Sequence, residues 1–326
     1  MAGISWNARV KADRTITDDE KLDLLPKQRN DYVEATDRGS LLQFNSTYTE
    51  YVDPVFFARG SISSLAGILG ALAGLGTLIT FSYWLAINGT DWAVQSANIV
   101  GVILGLGMFL IFGGMGVRHD LFSYTAYPVR FNRKNRKIYV FRPPKEGGVQ
   151  VFCWDEVNFY INRVKNHPHR HLIGHVMDGD FIKFSFVVGM AHVEDEVIKE
   201  LWEFVYRYME EGPKSVKPPF IAMTITPSIV NHYRMSYTRA AITNYFFVVL
   251  FFPIIGPLIA LRWIIFKTCK SPVWPEWVEV ECVVAANDPH HLPEPKYIGD
   301  GFEEHPEFLQ KVVEKDRRER ANKRGR

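Results

Sequence analysis

"SISSLAGILGALAGLGTLITFSYWLAI", residues 61–87, decides the fold, because it is 27 residues long and carries no charge on any face. A soluble helix keeps one polar face. An apolar helix needs only about 20 residues to cross roughly 30 Å of hydrocarbon. Tyr83 and Trp84 near its end suit a headgroup interface. After the six-residue link "NGTDWA", a second uncharged block follows at 94–117, "VQSANIVGVILGLGMFLIFGGMGV". Two membrane helices in an antiparallel hairpin, 61–117, are therefore expected. Gly70 and Gly74 are four apart, as are Gly101 and Gly105, so each pair shares a helical face on which backbones can approach closely. Neither block holds Asp, Glu, Lys, Arg or His, which weighs against an ion or proton path through the pair.

Outward from the hairpin, charge sets the orientation. Residues 1–60 hold eight Lys and Arg, the link 88–93 none, and residues 118–241 eighteen. Basic flanks stay in the cytoplasm. The polar stretch 1–60 thus reads as a cytoplasmic arm, with a short helix from Asp18 capped by Thr17, and the link lies outside. No early apolar run marks a secretory signal.

Residues 118–218 switch to strand periodicity. "YPVRFNRKNRKIYVFRP", 127–143, reads as a hairpin with a basic turn of Arg133, Lys134, Arg136 and Lys137, a candidate contact for anionic headgroups. More strands follow in "GGVQVFCWDEVNFYINRV" and "DFIKFSFVVG". "VEDEVIKELWEFVYRYMEE", 193–211, then places Val193, Val197, Leu201, Phe204, Val205 and Tyr208 on one helical face, stopped by Gly212 and Pro213. The fold class is α+β: antiparallel strands and one closing helix on a membrane hairpin.

Residues 219–241 read as a linker, and 242–268 as a third membrane segment. Ile242 to Leu261 is uncharged for 20 residues, yet Pro253, Gly256 and Pro257 predict a break in it. Either a kinked span or a re-entrant segment fits. The tail, 269–326, reads as polar, with Trp274 and Trp277 as an interfacial anchor or docking strip and the basic run 314–326 as a solvated end.

Enzymatic chemistry is hard to find. His167, His169, His171 and His175 cluster in nine residues, which reads as a solvated loop, with a metal site as the sharper alternative. Cys153, Cys269 and Cys282 form no disulfide framework or paired metal spacing. Phosphate-loop, dinucleotide and hydrolase motifs are missing. The net charge of +2 argues against a nucleic-acid binder. Catalytic residues, cofactors and metals are accordingly expected to be none, and the partners to be membrane lipid and another protein.

The order of strand hairpin, "VFCWDEVNF", further strands and C-terminal helix resembles a bacterial pleckstrin-homology-like domain. The whole layout, with the tail "KSPVWPEWVEVECVVAANDP" at 270–289, resembles an uncharacterised family of bacterial inner-membrane proteins encoded near type VI secretion spike and toxin genes. That resemblance implies a bacterial inner-membrane location and a non-enzymatic role in immunity to a toxin or in handling it. A membrane-tethered lipid or signal sensor is the alternative.

Overall fold

The computed structural model describes residues 12–60, 62–87, 91–163, 168–217, 221, 223–241 and 252–299. The chain forms two compact units, one of residues 1–58, 124–243 and 271–326, the other of residues 59–123 and 244–270.

The first unit is built on two antiparallel sheets. One has the order β1 (Arg14–Thr15), β10 (Phe181–His192), β9 (Arg170–Asp178), β8 (Val157–Arg163), β2 (Leu24–Leu25). The other runs β3 (Leu41–Phe44), β4 (Tyr48–Tyr51), β5 (Val129–Asn132), β6 (Lys137–Val140), β7 (Gln150–Cys153). Alternation places one face of each sheet on a shared core. Phe44, Tyr51, Phe131 and Ile138 come from one sheet, and Phe159, Leu172, Phe186 and Val188 from the other. Helix α5 (Asp195–Glu210) completes that core with Ile198, Leu201, Phe204, Val205 and Tyr208. Val193, expected on this face, precedes the N-cap Glu194 and is exposed, because it lies outside the helical turn that would aim it inward. Gly212 follows at φ +98°, a left-handed conformation that glycine adopts without strain.

Residues 12–58 are not a separate arm. Residues 14–51 supply four strands, and Thr17 caps α1 (Asp18–Leu22) through a reciprocal bond with Glu20. These strands are too short to announce themselves by periodicity, and pairing with distant strands makes them. Leu24 and Leu25 pair with Tyr160 and Phe159, and Tyr48–Tyr51 pair with Val129–Asn132. Residues 271–299 of the tail are not a free polar end either. Trp274, Val278 and Cys282 are buried against Tyr48, Tyr139 and Phe141 on the outer face of the second sheet. Helix α2 (Pro54–Ala58) and helix α6 (Ile229–Ala241) also belong to this unit, so 219–241 is in part helical rather than only a linker.

The second unit holds α3 (Ile62–Ile87), α4 (Trp92–Asp120) and α7 (Phe252–Thr268). Among the described residues, Ala66–Ile87 and Trp92–Gly114 are helices long and apolar enough to cross a membrane. Helix α7 continues through Gly256 and Pro257, and Pro253 lies within it, so the expected break does not fall at these three residues. Pro257 lacks one N–H, toward the Pro253 carbonyl. The packed residues Ile259, Arg262, Ile265 and Phe266 hold the helix beyond it. The part of the segment before Phe252 lies outside the described residues, as do His167 and the basic run at 314–326.

Candidate functional site

In the hairpin the four glycines at 70, 74, 101 and 105 all face the opposing helix. A Cβ on Gly74 would stand 2.5 Å from the Phe109 backbone nitrogen, and one on Gly105 would stand 2.5 Å from that of Leu78. Gly70 receives the Phe112 ring and Gly101 the Phe81 ring, so the helices run antiparallel. Gly76, Gly107 and Gly114 face open space instead. The outer faces carry Leu72, Ile79, Ile103, Leu104, Leu110 and Ile111, all exposed. So large an apolar surface marks an interaction face.

At the hairpin base, three chain segments of the second unit are tied together. Arg59 donates to the Asp120 carbonyl at 3.0 Å, and the Gly60 N–H donates to Asp120 Oδ2 at 3.2 Å. Arg262, on α7, donates to the Arg59 carbonyl and stacks over Phe266, 4.7 Å from the ring centre. The Cys269 thiol donates to the Asp120 carbonyl, and the Lys270 N–H to the Ser123 carbonyl at 2.8 Å. Gly60, at φ +68°, admits the Arg262 backbone at a distance where a Cβ would collide at 2.9 Å.

The basic turn is not an open cationic patch. Arg136 binds both oxygens of Asp155 and of Glu210, and Lys137 binds Glu281 at 2.6 Å. The Arg133 guanidinium lies over Gly212, and of the four bases only Lys134 is exposed. The Arg136 hydrogen bond holds the Asp155 carboxyl below its usual range, and Lys137 does the same for Glu281. These acids come from elements distant in sequence, so the turn's local composition could not reveal them.

Two of the four histidines lie in a strand and not in a solvated loop. His171 and His175 are buried on β9, and His175 Nδ1 lies 2.7 Å from Ser185 Oγ, its cross-strand neighbour. Burial pushes the His175 imidazole down to about 4, so it is neutral at physiological pH. Among the described residues no group of three or more His, Cys, Asp or Glu is placed to hold a metal ion.

Sequence reasoning missed the most concentrated chemistry in the first unit. The Arg130 guanidinium lies between Tyr48 and Trp274, 4.2 Å and 4.8 Å from their ring centres, and donates twice to Glu50 at 2.8 and 2.9 Å. The Trp274 indole N–H donates to the same Glu50 oxygen at 3.2 Å, and Glu279 takes a further Arg130 bond at 3.3 Å. Burial pushes the Glu50 carboxyl up against the pull of Arg130. Trp274 is only 9% exposed, so it is committed to this latch and not to a lipid interface; Trp277 beside Tyr139 is 46% exposed. The alternating charge of Glu50 and Arg130 at strand positions was the available signal, but only their pairing in register makes it a site.

Beyond the latch the tail continues across the sheet. Asp288 accepts from the Ser46 N–H and hydroxyl, and the Leu292 N–H donates to the Phe44 carbonyl. It then reaches the segment preceding the third apolar stretch. Thr224 donates to Glu294 at 2.7 Å, and the Ile298 N–H donates to Asn231 Oδ1 at 2.9 Å.

A family model covers residues 106–286, more than half the chain, from within α4 through the latch. The chain belongs to the family of unknown function DUF6708. No curated protein and no solved structure matches it. Within the DUF6708 match lie Arg130 and Trp274, while Glu50, which completes their latch, lies before it.

Proposed function

We propose that this DUF6708 protein is a non-enzymatic, multi-pass inner-membrane protein that acts by binding another protein through a cytoplasmic domain of pleckstrin-homology-like design. The observation that carries the reading is the insertion of an uncharged, outwardly apolar helical hairpin between β4 and β5, two strands that pair with each other. Lipid is the solvent that suits such a surface. Because Tyr51 pairs with Val129, the chain must leave and rejoin the domain on one side, which supports a two-span hairpin with its link outside. The Lys and Arg of residues 1–60 and 118–241, against none in the link 88–93, support a cytoplasmic side for the domain. The design of the domain is supported by its two antiparallel sheets and the closing helix α5.

The partner class comes from the resemblance to inner-membrane proteins encoded near type VI secretion spike and toxin genes. In this reading the domain, held against the bilayer, masks the working surface of a toxin. The lipid-sensor alternative is disfavoured by the pairing of Arg136 and Lys137 with Asp155, Glu210 and Glu281. The test is survival of cells that carry the neighbouring toxin gene, with and without this chain. Protection supports the reading, and unchanged killing rejects immunity.

A further inference from the structure

We propose that α7 is re-entrant: it lies in the hydrocarbon of the bilayer without crossing it, and the chain at residue 241 and the chain at residue 271 are on the same side. The inference rests on the membrane reading of the hairpin.

Two independent sets of contacts carry it. Inside the first unit, the chain before the segment and the chain after it are bound to each other and to one sheet. Asn231 and Thr224 meet Ile298 and Glu294, while Trp274, Cys282 and Asp288 meet Glu50, Asn132 and Ser46. A folded sheet cannot be shared across a bilayer, so the number of crossings between residues 241 and 271 is even. Two crossings need about 40 apolar residues. The stretch from 242 to 270 has 29 in all, so the number is zero. Inside the second unit, the exit end of α7 is level with the hairpin base, because Cys269 and Lys270 bond to Asp120 and Ser123.

The surface of α7 fits that placement. Ile259, Arg262, Ile265 and Phe266 are buried, whereas Pro257, Ala260 and Ile264 are exposed and uncharged. Acyl chains are the occupant this face fits, since it continues the apolar surface of the hairpin it packs beside. Arg262 is kept from lipid by the Arg59 carbonyl and the Phe266 ring.

The test uses the full chain in spheroplasts, with a thiol reagent that cannot pass a membrane, in a parent carrying Cys153→Ser whose own labelling is subtracted, and with single additions Asp91→Cys, Tyr32→Cys, Ala286→Cys and Ile264→Cys. Asp91→Cys should label in intact spheroplasts. Tyr32→Cys and Ala286→Cys should label only after lysis. Ile264→Cys, 52% exposed in the native residue, should stay unreactive until detergent denatures the protein. Labelling of Ala286→Cys on the side opposite to Tyr32→Cys would overturn the re-entrant proposal alone. Reaction of Ile264→Cys on lysis would show that α7 faces water and would also overturn it. Protection of Asp91→Cys together with Tyr32→Cys until lysis would instead remove the spanning hairpin, and the proposal with it. Reaction of Tyr32→Cys and Ala286→Cys in intact spheroplasts, with Asp91→Cys protected, would reverse the orientation yet uphold the re-entrant path.

Discussion

Tyr51 and Val129 are direct partners across adjacent antiparallel strands, although the whole helical hairpin lies between them in sequence. The domain is therefore assembled from three pieces of chain, residues 12–58, 124–241 and 271–299, each returning after an apolar excursion. Its stability depends on contacts that close only when all three are present.

The Arg130 latch is the first such contact to test. Arg130→Met leaves the Glu50 carboxylate buried beside apolar groups, which costs about 3–5 kcal/mol. The double variant Arg130→Met, Glu50→Leu should recover most of that loss, because no buried charge is stranded. Thermal unfolding of the detergent-purified chain measures both. Equal melting of the single and double variants would show that the ion pair does not govern the site.

Hairpin packing gives the second prediction. In Gly105→Ala the new methyl meets the Leu78 backbone at 2.5 Å, and rigid backbone must shift. A loss of about 1–3 kcal/mol is expected for such overpacking. Gly107→Ala, which meets nothing within 4 Å, should be neutral or slightly stabilising. Unfolding of the two variants side by side in the same detergent separates a packing effect from a general intolerance of substitution.

Asp37 provides a signature in pH. Burial pushes its carboxyl up to about 6, even though the Gly39 N–H bonds to it. Between the unfolded value near 4 and the folded value near 6, the native state holds the proton that the unfolded state has released. Stability is therefore lost as pH rises through this window, by roughly 2–3 kcal/mol at about 1.4 kcal/mol per unit. Asp37→Asn keeps an acceptor for Gly39 and removes the titration. It should match the native chain at pH 4 and melt higher at pH 7.5. A difference that does not change with pH would refute the assignment.

His175 works in the opposite direction. Its imidazole is held neutral by burial down to about 4, so below the unfolded value near 6.5 the unfolded chain takes up a proton that the native state refuses. Stability falls as pH drops from about 6.5 toward 4. His175→Gln, which can still bond to Ser185, should flatten that acid limb while changing the melt at pH 8 by less than the acid limb is changed. Chemical denaturation across this pH range reads the slope directly.

Much of this organisation is written locally. Twenty-seven uncharged residues at 61–87 hold a helix long and apolar enough to cross a membrane, and glycines four apart at 70 and 74, or 101 and 105, must share a helical face. The period of α5 likewise reveals its buried side, because 3.6 residues per turn is a local property. Short strands carry no such mark. Leu24–Leu25 and Tyr48–Tyr51 become strands only by pairing with Tyr160 and Val129, so residues 1–60 read as an arm until their partners are known. Charge behaves the same way: Arg136 and Lys137 look free until Asp155, Glu210 and Glu281 arrive from other elements. Trp274 looks like an anchor until Glu50 and Arg130 enclose it. By itself the sequence determined the two long apolar helices and the α+β class, since periodicity and hydropathy act over one or two turns. Tertiary structure alone decided which charges are neutralised and where the tail is bound, because pairing energy depends on distances that no local pattern encodes.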